Sequence, residues 1–401
     1  MIIREVNELP VTDSCDVFVA GGGIAGIAAA LAAARQGKKV ILAERMYMLG
    51  GLATAGLVTI YLPICDGFGR QVSFGLAEEL LKLSIKHDHL DKRGYPNWIA
   101  SDDPAHRTEK DPRYEVDFNP QLFAIDAEQL LLKEGVEILY GTYVSGCTVE
   151  NEKITHVILE CKGGRQAIRV TSCVDASGDL DLGTAAGVPS VTFKQGNLMA
   201  AWFYSCDRSG YDLQVVGYCD TPDEEKEKTG KNETAGHKRY LGLENKEITE
   251  LTVDSHAAVM NTFLKKRAKD DSFVPVTIAT IPQLRMTRHI DGEYTLATEE
   301  MHTRFEDSIG MVSDWRKRGP VYEVPFRTLY NHAVKNLVTA GRVTACTEGL
   351  WDVLRVIPCC SVTGEAAGIA AALTDDFTAL NVSLLQEKLR EQGVVIHESE
   401  L

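Results

Sequence analysis

Apolar and polar positions in the first fifty residues predict a strand, a helix and a second strand. The stretch DVFVAGGGIAGIAAALAAARQGKKVILAER, residues 16–45, has an apolar run at 17–20 and an alanine-rich run at 27–34. An apolar run of this length is typical of a buried strand, and alanine is the strongest helix former. Gly37 ends the helix, and a second apolar strand covers residues 39–43. Three glycines occupy the turn between the first strand and the helix.

A second unit of the same kind begins near Pro120. Its helix is predicted to bury Leu122, Ile125, Leu130 and Leu131 and to stop at Gly135, before a strand at 136–140. The segments KITHVILE and QAIRVTSCVDA then predict two more strands separated by turn residues. We interpret these strands as a β-meander attached to the first unit.

The C-terminal part returns to alternating strands and helices. NLVTAGRV predicts a buried strand with a glycine turn, TGEAAGIAAAL a helix beginning near Thr363, and SLLQEKLREQG a last helix with a Ser383/Gln386 capping box. The polar stretch 220–246 is interpreted as a surface excursion, and a helix is predicted over 248–268. The fold class is therefore α/β, with a parallel sheet and a β-meander.

Composition narrows the class of protein. The 401 residues suit about two domains, and 44% hydrophobic with 25% charged residues is typical of a soluble globular protein. The chain shows neither an apolar run of about 18 residues nor the apolar core of a signal peptide, so we expect a cytoplasmic location. A net charge of −15 argues against nucleic-acid and membrane partners and favours a small molecule. The ten cysteines have no metal-ligand spacing, so no metal site is expected.

The glycine turn has the spacing of a dinucleotide-binding loop. Gly21 permits the sharp turn, Gly23 lets the backbone approach a pyrophosphate, and Gly26 lets the helix pack on the strand. Glu44 ends the second strand at about the twenty-residue distance of an acid that hydrogen-bonds a ribose 2′-hydroxyl. An acid there repels a 2′-phosphate, so the motif predicts FAD or NAD and disfavours NADP.

Further motifs distinguish FAD from NAD. They are RMYMLGGLATAG with its Gly50–Gly51 pair, CVDASGDLDLG, PQLRMTRHIDGEY, and the C-terminal NLVTAGRV and RVIPCCSVTGEAAG. At these residues, spread over 16–368, the chain resembles the FAD-dependent oxidoreductases of the glutathione-reductase-like flavoprotein superfamily. The resemblance implies a Rossmann-like FAD-binding domain of residues 1–75, 120–195 and 330–401. It also implies an inserted α+β substrate domain of residues 76–119 and 196–329.

The resemblance also implies a set of cofactor-binding residues. The glycine loop would cradle the pyrophosphate, Glu44 would hold the adenosine ribose, and a helix starting near Thr363–Gly364 would point its positive end at the flavin. The whole implied set is Gly21, Gly23, Ile24, Ala25, Gly26, Glu44, Arg45, Gly50, Gly51, Val144, Ser177, Gly178, Asp179, Gly341, Arg342, Pro358, Gly364 and Ala367.

Candidates for the chemistry concentrate in the segment 281–296. Arg285 either binds an anionic or polar substrate group or pairs with a carboxylate at a domain interface, and His289 is either an acid–base group or a structural one. Glu348 stands where many relatives carry a histidine, and it is the third catalytic candidate. Cys359 and Cys360 are interpreted as packing residues rather than a redox pair. A further group is considered as pocket lining or core: Tyr61, Trp351 and Asp352.

The function expected from these observations is hydride exchange between a small organic substrate and N5 of FAD. The alternatives are an NAD-dependent dehydrogenase, an FAD-binding protein without turnover, and a tRNA-modifying flavoprotein, which the acidic charge disfavours. The second electron donor or acceptor is left open, and a homo-oligomer is allowed.

Overall fold

A seven-stranded mixed sheet forms the centre of the protein. The computed structural model describes residue 6 and residues 8–87, 115–217 and 237–401. The strands are β1 (Val11–Ala20), β2 (Val40–Glu44), β3 (Ile60–Tyr61), β4 (Val116–Asp117), β5 (Glu137–Tyr140), β6 (Tyr143–Glu150), β7 (Lys153–Cys161), β8 (Gly164–Asp175), β9 (Ser190–Thr192), β10 (Phe203–Asp207), β11 (Gly210–Gln214), β12 (Val274–Ile278), β13 (Arg288–Ile290), β14 (Ser308–Ser313), β15 (Val321–Pro325) and β16 (Leu337–Thr339). The helices are α1 (Ile24–Arg35), α2 (Leu76–Ser84), α3 (Pro120–Lys133), α4 (Asp181–Ala185), α5 (Asn245–Arg267), α6 (Glu348–Leu354), α7 (Ile357–Leu373) and α8 (Val382–Glu391).

The long strand β8 joins two parts of the central sheet. Strand order is β5-β2-β1-β8-β7-β6, and β16 also pairs with β8. Strands β5, β2, β1, β8 and β16 are parallel, whereas β6, β7 and the first half of β8 form an antiparallel meander. The α/β class with a parallel sheet and a β-meander is thus confirmed.

Helices α1 and α7 pack closely against each other over the sheet. A Cβ atom built on Gly364 of α7 would lie 2.3 Å from the Ala25 carbonyl oxygen of α1, and one on Gly368 would lie 2.2 Å from that of Ala29. Both distances are far below van der Waals contact, so only glycine allows the two backbones to come this close. Because α1 follows β1 and α7 follows β16, this contact ties the two ends of the chain together.

Smaller sheets surround the central one. Strands β10, β11 and β12 form one three-stranded sheet, and β9 pairs with β13. The β14–β15 hairpin packs against α7 and the C-terminal tail, where the Ser308 hydroxyl donates to the Ile396 carbonyl at 2.7 Å. Sequence reasoning assigned this hairpin to the substrate domain. The division into two domains stays a prediction.

Three local expectations were wrong. Helix α3 buries Leu131 as predicted, but it exposes Leu122 and Ile125 and buries Phe123 and Ala127 in their place. Its sequence has apolar residues on more than one face, so the spacing did not identify the buried one.

The first residues of two C-terminal helices also differ from expectation. Helix α8 begins one residue before Ser383, and the Asn381 side chain caps it by accepting from the Leu384 N–H at 3.2 Å. The predicted Ser383/Gln386 capping box is therefore absent. Helix α7 begins at Ile357, two turns before the predicted start at Thr363. Pro358 suits the first turn of a helix, where its missing N–H costs nothing.

No single helix in the described ranges is long and apolar enough to cross a membrane. Within those ranges one pair of helices, α6 and α7, bent by 85°, reaches the length and composition of a span. The described residues also hold no group of three His, Cys, Asp or Glu side chains that could bind a metal ion.

A buried carboxyl group in α7 makes the stability of the fold depend on pH. Glu365 is 2% exposed, accepts a hydrogen bond from the Leu76 N–H at 2.8 Å, and has its pKa raised to about 8 by burial. Between the ordinary value of 4.5 and about 8, the folded protein keeps a proton there that the unfolded chain has lost.

We therefore expect the stability contributed by Glu365 to be complete below pH 4.5 and to fall by about 1.4 kcal/mol per pH unit as pH rises to 8. Urea unfolding of the wild-type and Glu365→Gln proteins between pH 5 and 9 checks this. The free energy of unfolding of the Gln variant should rise relative to that of the wild-type protein as pH increases. A difference that stays constant with pH would contradict the buried, protonated state of Glu365.

Candidate functional site

A cavity opens at the carboxyl ends of the parallel strands β1, β2 and β8. Its wall includes Ala20 at the end of β1 with Gly21 after it, Glu44 at the end of β2 and Ala176 after β8. Ligands of open parallel sheets bind at this edge, where loops diverge and helices begin.

The first glycine loop combines two tight glycines with one that faces open space. Gly21 has φ +96°, and a Cβ there would lie 2.7 Å from the Ala176 carbonyl oxygen. A Cβ on Gly26 would lie 1.8 Å from the Gly21 carbonyl oxygen. Gly23 is different, because it has φ −68° and a Cβ there would meet no protein atom within 4 Å. The side-chain position of Gly23 therefore lies in space that the protein itself leaves for a ligand.

The Gly50–Gly51 pair lies beside this loop. The Gly50 N–H donates to the Gly22 carbonyl at 2.8 Å, and a Cβ on Gly51 would lie 3.3 Å from the Gly23 Cα. Two stretches of backbone without side chains thus form one continuous surface in the cavity wall. Such a surface lets a ligand approach the peptide N–H groups closely.

Glu44 is held in place by backbone donors. Its Oε2 accepts from the Gly22 N–H at 2.8 Å and its Oε1 from the Met46 N–H at 2.7 Å. Burial raises the pKa of this carboxyl, and the two N–H groups oppose that shift. The carboxylate also belongs to the cavity wall, where its remaining lone pairs can accept hydroxyl groups.

A second turn of small residues follows β8. The Asp175 carboxylate orders it by accepting from the Ser177 N–H at 3.0 Å and from the Gly183 N–H at 2.8 Å. Asp179 pairs with Arg342 at 2.8 Å, and a Cβ on Gly178 would lie 2.5 Å from the Arg342 Nε. The turns after β8 and β16 are therefore joined by an ion pair at the rim of the cavity.

Most residues of the expected cofactor set lie in this wall. They are Gly21, Gly23, Ile24, Ala25, Glu44, Arg45, Gly50, Gly51, Val144, Ser177, Gly178, Asp179, Gly341 and Arg342.

Four residues of the expected set lie outside the wall. They are Gly26, Pro358, Gly364 and Ala367. Gly26 and Gly364 are instead tight backbone contacts, with Gly21 and with helix α1. Because α7 begins at Ile357, the residues at its positive end that reach the cavity are Val356 and Ile357, and the expectation that Thr363–Gly364 provides this end is corrected. Thr363 instead accepts from the Gly341 N–H at 2.9 Å.

Arg285 is the catalytic candidate that lies in the cavity wall. Its side chain is buried, its Nη2 donates to the Gln283 Oε1 at 3.4 Å, and its guanidinium carbon lies 4.9 Å from the centre of the Trp202 ring. Arg288 faces elsewhere and pairs with Asp181 at 3.4 Å. The two arginines of this segment therefore do not form one clamp.

His289 and Glu348 lie outside the cavity wall. His289 is 2% exposed, its Nδ1 donates to the Ile290 carbonyl at 2.6 Å, and its ring meets the edge of Trp351 at 4.5 Å. Burial lowers the pKa of His289, so the imidazole is neutral near pH 7. Glu348 accepts from the Lys194 N–H at 2.8 Å at the start of α6. Neither residue lines this cavity, and their catalytic roles stay predictions.

The remaining candidates divide between core and wall. Tyr61, Trp351 and Asp352 are buried outside the wall, with the Tyr61 hydroxyl donating to the Ala77 carbonyl at 2.6 Å. Cys360 lies in the wall and Cys359 is buried, and both are free thiols. Burial raises the pKa of Cys360 to about 12, which keeps it protonated and unreactive.

Sequence reasoning missed an apolar part of the wall and two charged residues. The apolar part consists of Val58, Ile60, Leu62, Ile281, Pro282 and Leu284. Arg355 and Asp181 are the charged residues, and burial near other carboxylates raises the pKa of Asp181 to about 6. Apolar residues in a cavity wall have the same sequence signature as core residues, so the sequence did not distinguish them.

A family model described as FAD dependent oxidoreductase matches the chain over residues 16–235 and 193–389. Together the two matches span residues 16–389. No curated protein sequence matches the chain.

Several solved structures resemble the chain at low sequence identity. A geranylgeranyl bacteriochlorophyll reductase-like protein from Thermoplasma acidophilum has a TM-score of 0.50 and 12% identity, covering 95% of this chain and 82% of its own. CabE, an aromatic hydroxylase from angucycline biosynthesis, has a TM-score of 0.47 and 14% identity, covering 95% and 66%. OxyS anhydrotetracycline hydroxylase from Streptomyces rimosus has a TM-score of 0.46 and 11% identity, covering 94% and 66%. At 12% identity, the similarity to the Thermoplasma acidophilum protein concerns the fold alone.

Proposed function

Because the chain belongs to the FAD-dependent oxidoreductase family, we propose that it exchanges a hydride between a small organic substrate and N5 of its flavin. FAD is the cofactor of the family. The proposal concerns the substrate class and the hydride step. It does not name the second electron donor or acceptor.

The residues of the cavity fit FAD. The open space at the Gly23 side-chain position suits a pyrophosphate, because it lies at the start of α1, where backbone N–H groups favour an anion, and between two glycine segments. Glu44 stands at the end of β2, where a ribose hydroxyl would find a carboxylate acceptor. We propose that these two residues, with Gly50 and Gly51, hold the adenosine diphosphate half of the cofactor.

The other half of the cofactor would lie toward α7 and the segment 281–285. When bound, FAD supplies a ring that accepts or donates a hydride. The positive end of α7, at Val356 and Ile357, favours negative charge in that region. Ile281, Pro282 and Leu284 exclude water there, and Arg285 orients a polar group of the substrate.

One observation supports this proposal above the others. The same continuous cavity contains both the glycine surface around Gly23 and, on a different segment of the chain, the buried cation Arg285. The first part suits a dinucleotide and the second a substrate, so one cavity can bring both together.

The visible absorption spectrum of the purified protein and the identity of the released cofactor test the proposal. We expect a yellow protein that releases intact FAD and that is bleached, without oxygen, by a member of a panel of small organic metabolites. A flavin that chemical dithionite reduces but no organic substrate reduces would support an FAD-binding protein without turnover. A colourless protein that binds NAD and not FAD would overturn the cofactor assignment.

A further inference from the structure

We propose that the exposed face of helix α5 binds a second copy of this chain, with the two helices antiparallel. Helix α5 (Asn245–Arg267) uses one face inside the protein, where Leu251 and Val259 are its buried residues. Val259 lies there in one apolar cluster with Phe203 of β10. The opposite face of the helix is exposed, and the proposed flavin chemistry does not use it.

The exposed face of α5 carries a seam of six residues with the spacing of a coiled coil. Its three large apolar side chains are more than half exposed, Val253 at 59%, Met260 at 55% and Leu264 at 56%. Alternating steps of three and four residues keep all six side chains on one face. A solvated face does not need apolar residues at this spacing, whereas contact between two helices does. The seam consists of Glu250, Val253, Ala257, Met260, Leu264 and Arg267.

The order of residues along the seam fits an antiparallel copy of itself. With a two-fold axis midway between Ala257 and Met260, three kinds of layer form, and each occurs twice in a closed dimer. Each layer joins a smaller apolar side chain with a larger one, or an acid with a base, as packing between two helices requires. In these layers Ala257 faces the partner's Met260, Val253 faces the partner's Leu264, and Glu250 faces the partner's Arg267.

The charges along the whole helix favour the same direction. Residues 244–254 contain four acids and one lysine, whereas residues 264–269 contain four cations and no acid. In an antiparallel pair, the acidic first half of each helix lies against the basic end of the other. In a parallel pair like charges would meet, and such contacts are unfavourable.

A lipid surface suits this face less well than a second copy does. The protein has a net charge of −15, which opposes its approach to an anionic membrane. Helices that lie on membranes carry cations along their polar face, whereas the first half of α5 is acidic. A second copy offers the complementary charge that a membrane lacks.

The length of the seam determines how tightly the dimer should form. From Glu250 to Arg267 the seam covers about 26 Å of helix, at 1.5 Å per residue. A contact made by one helix from each side lies at the small end of specific interfaces, below about 800 Å² per partner. We therefore expect a reversible dimer with a Kd on the order of micromolar.

Sedimentation equilibrium of the FAD-loaded protein tests the proposal. The wild-type protein should change from monomer to dimer between about 1 and 200 µM. Met260→Lys should stay monomeric throughout this range, because each dimer would place two lysines between apolar side chains. Met260 is 55% exposed, so thermal unfolding of this variant should match that of the wild-type monomer.

A charge swap tests the antiparallel arrangement. Glu250→Lys and Arg267→Glu each place like charges opposite each other, and each should raise the Kd of the dimer at least about tenfold. The double variant Glu250→Lys/Arg267→Glu restores opposite charges and should return the Kd to within about threefold of the wild-type value.

Two controls separate the contact between copies from effects within one chain. Glu250 also forms a half-exposed ion pair with Lys238, and Lys238→Met removes this pair alone. This variant should dimerise at least as tightly as the wild-type protein. Lys133→Glu reverses an exposed cation in the last turn of α3, the same kind of position as Arg267 in α5, and should leave the Kd unchanged.

Three results would overturn the proposal. One is a wild-type protein that stays monomeric at every concentration, and another is a dimer that Met260→Lys leaves intact. The third is a charge swap that restores nothing, which would contradict the antiparallel layers. A monomeric protein that binds phosphatidylcholine vesicles, and loses this binding in Met260→Lys, would identify the occupant as a lipid surface instead.

Discussion

A Gly23→Val variant is expected to fold normally and to lose its FAD. Gly23 has φ −68°, which any residue adopts, and a Cβ there would meet no protein atom within 4 Å. The added side chain therefore leaves the folded chain unstrained and enters the space proposed for the pyrophosphate. A clash of this kind costs about 1–3 kcal/mol, so we expect the affinity for FAD to fall by about 10- to 100-fold.

The measurement is a titration of the apoprotein with FAD, accompanied by thermal unfolding without cofactor. Gly163→Val is the matched control, because Gly163 also lies in open space, in the turn between β7 and β8, and only the Cys161 sulfur lies within 4 Å of a Cβ there, at 3.8 Å. Both variants should unfold at the wild-type temperature when FAD is absent. Unchanged FAD affinity in Gly23→Val would overturn the placement of the cofactor.

A Gly364→Val variant is expected to fail in folding rather than in binding alone. The new Cβ would lie 2.3 Å from the Ala25 carbonyl oxygen, and backbone atoms cannot move aside as a flexible side chain can. Valine is a better helix former than glycine, so helix α7 itself is not weakened. The expected loss is about 3 kcal/mol or more, which is a large share of the stability of a domain.

Urea unfolding of the apoprotein checks this second expectation, again with Gly163→Val as the control. Gly368→Val should behave like Gly364→Val, since its Cβ would lie 2.2 Å from the Ala29 carbonyl oxygen. A Gly364→Val protein as stable as the wild type, and lacking only FAD, would show that position 364 acts through the cofactor. In that case the original assignment of Gly364 to the cofactor would be right.

The sequence located those parts of the cavity wall that are determined locally. The loop from Gly21 to Gly26 and the acid at Glu44 lie within one strand–helix–strand unit, whose geometry follows from its own residues. The Gly50–Gly51 pair and the turn at Ser177–Gly178 were also found in the wall, because each is a run of small residues at the end of a strand.

The parts that depend on tertiary packing were less predictable. His289 and Glu348 carry side chains suited to proton transfer, but only the fold shows that Trp351 covers one and that Lys194 binds the other. Arg285 was placed in the segment of candidates, whereas two residues that contact it lie far away in the chain and had no signal of their own: Asn197, which accepts from its N–H, and Trp202, whose ring lies against its guanidinium group.

The predictions of two helix starts were wrong for a different reason. The helix was predicted to begin near Thr363, where the alanine-rich run TGEAAGIAAAL begins, yet it runs through this point from Ile357. There Gly364 serves the contact with α1, and its weak helix propensity is offset by tertiary packing. The cap of α8 was missed by two residues, since Asn381 and Ser383 are both good capping residues and spacing alone did not separate them.

The pairing of β16 with β8, and of α7 with α1, has a consequence for the order of events during synthesis. The cavity needs residues 20–25 from the beginning of the chain and residues 340–360 from near its end. A ribosome must therefore have synthesised the chain through about residue 360 before the wall can close, and closing it requires contacts between residues more than three hundred positions apart, which slow folding. FAD can stabilise the fold only after the cavity wall has formed. Until helix α7 has been synthesised, the alanine-rich helix α1 lacks the helix against which it packs and must not associate with other apolar surfaces.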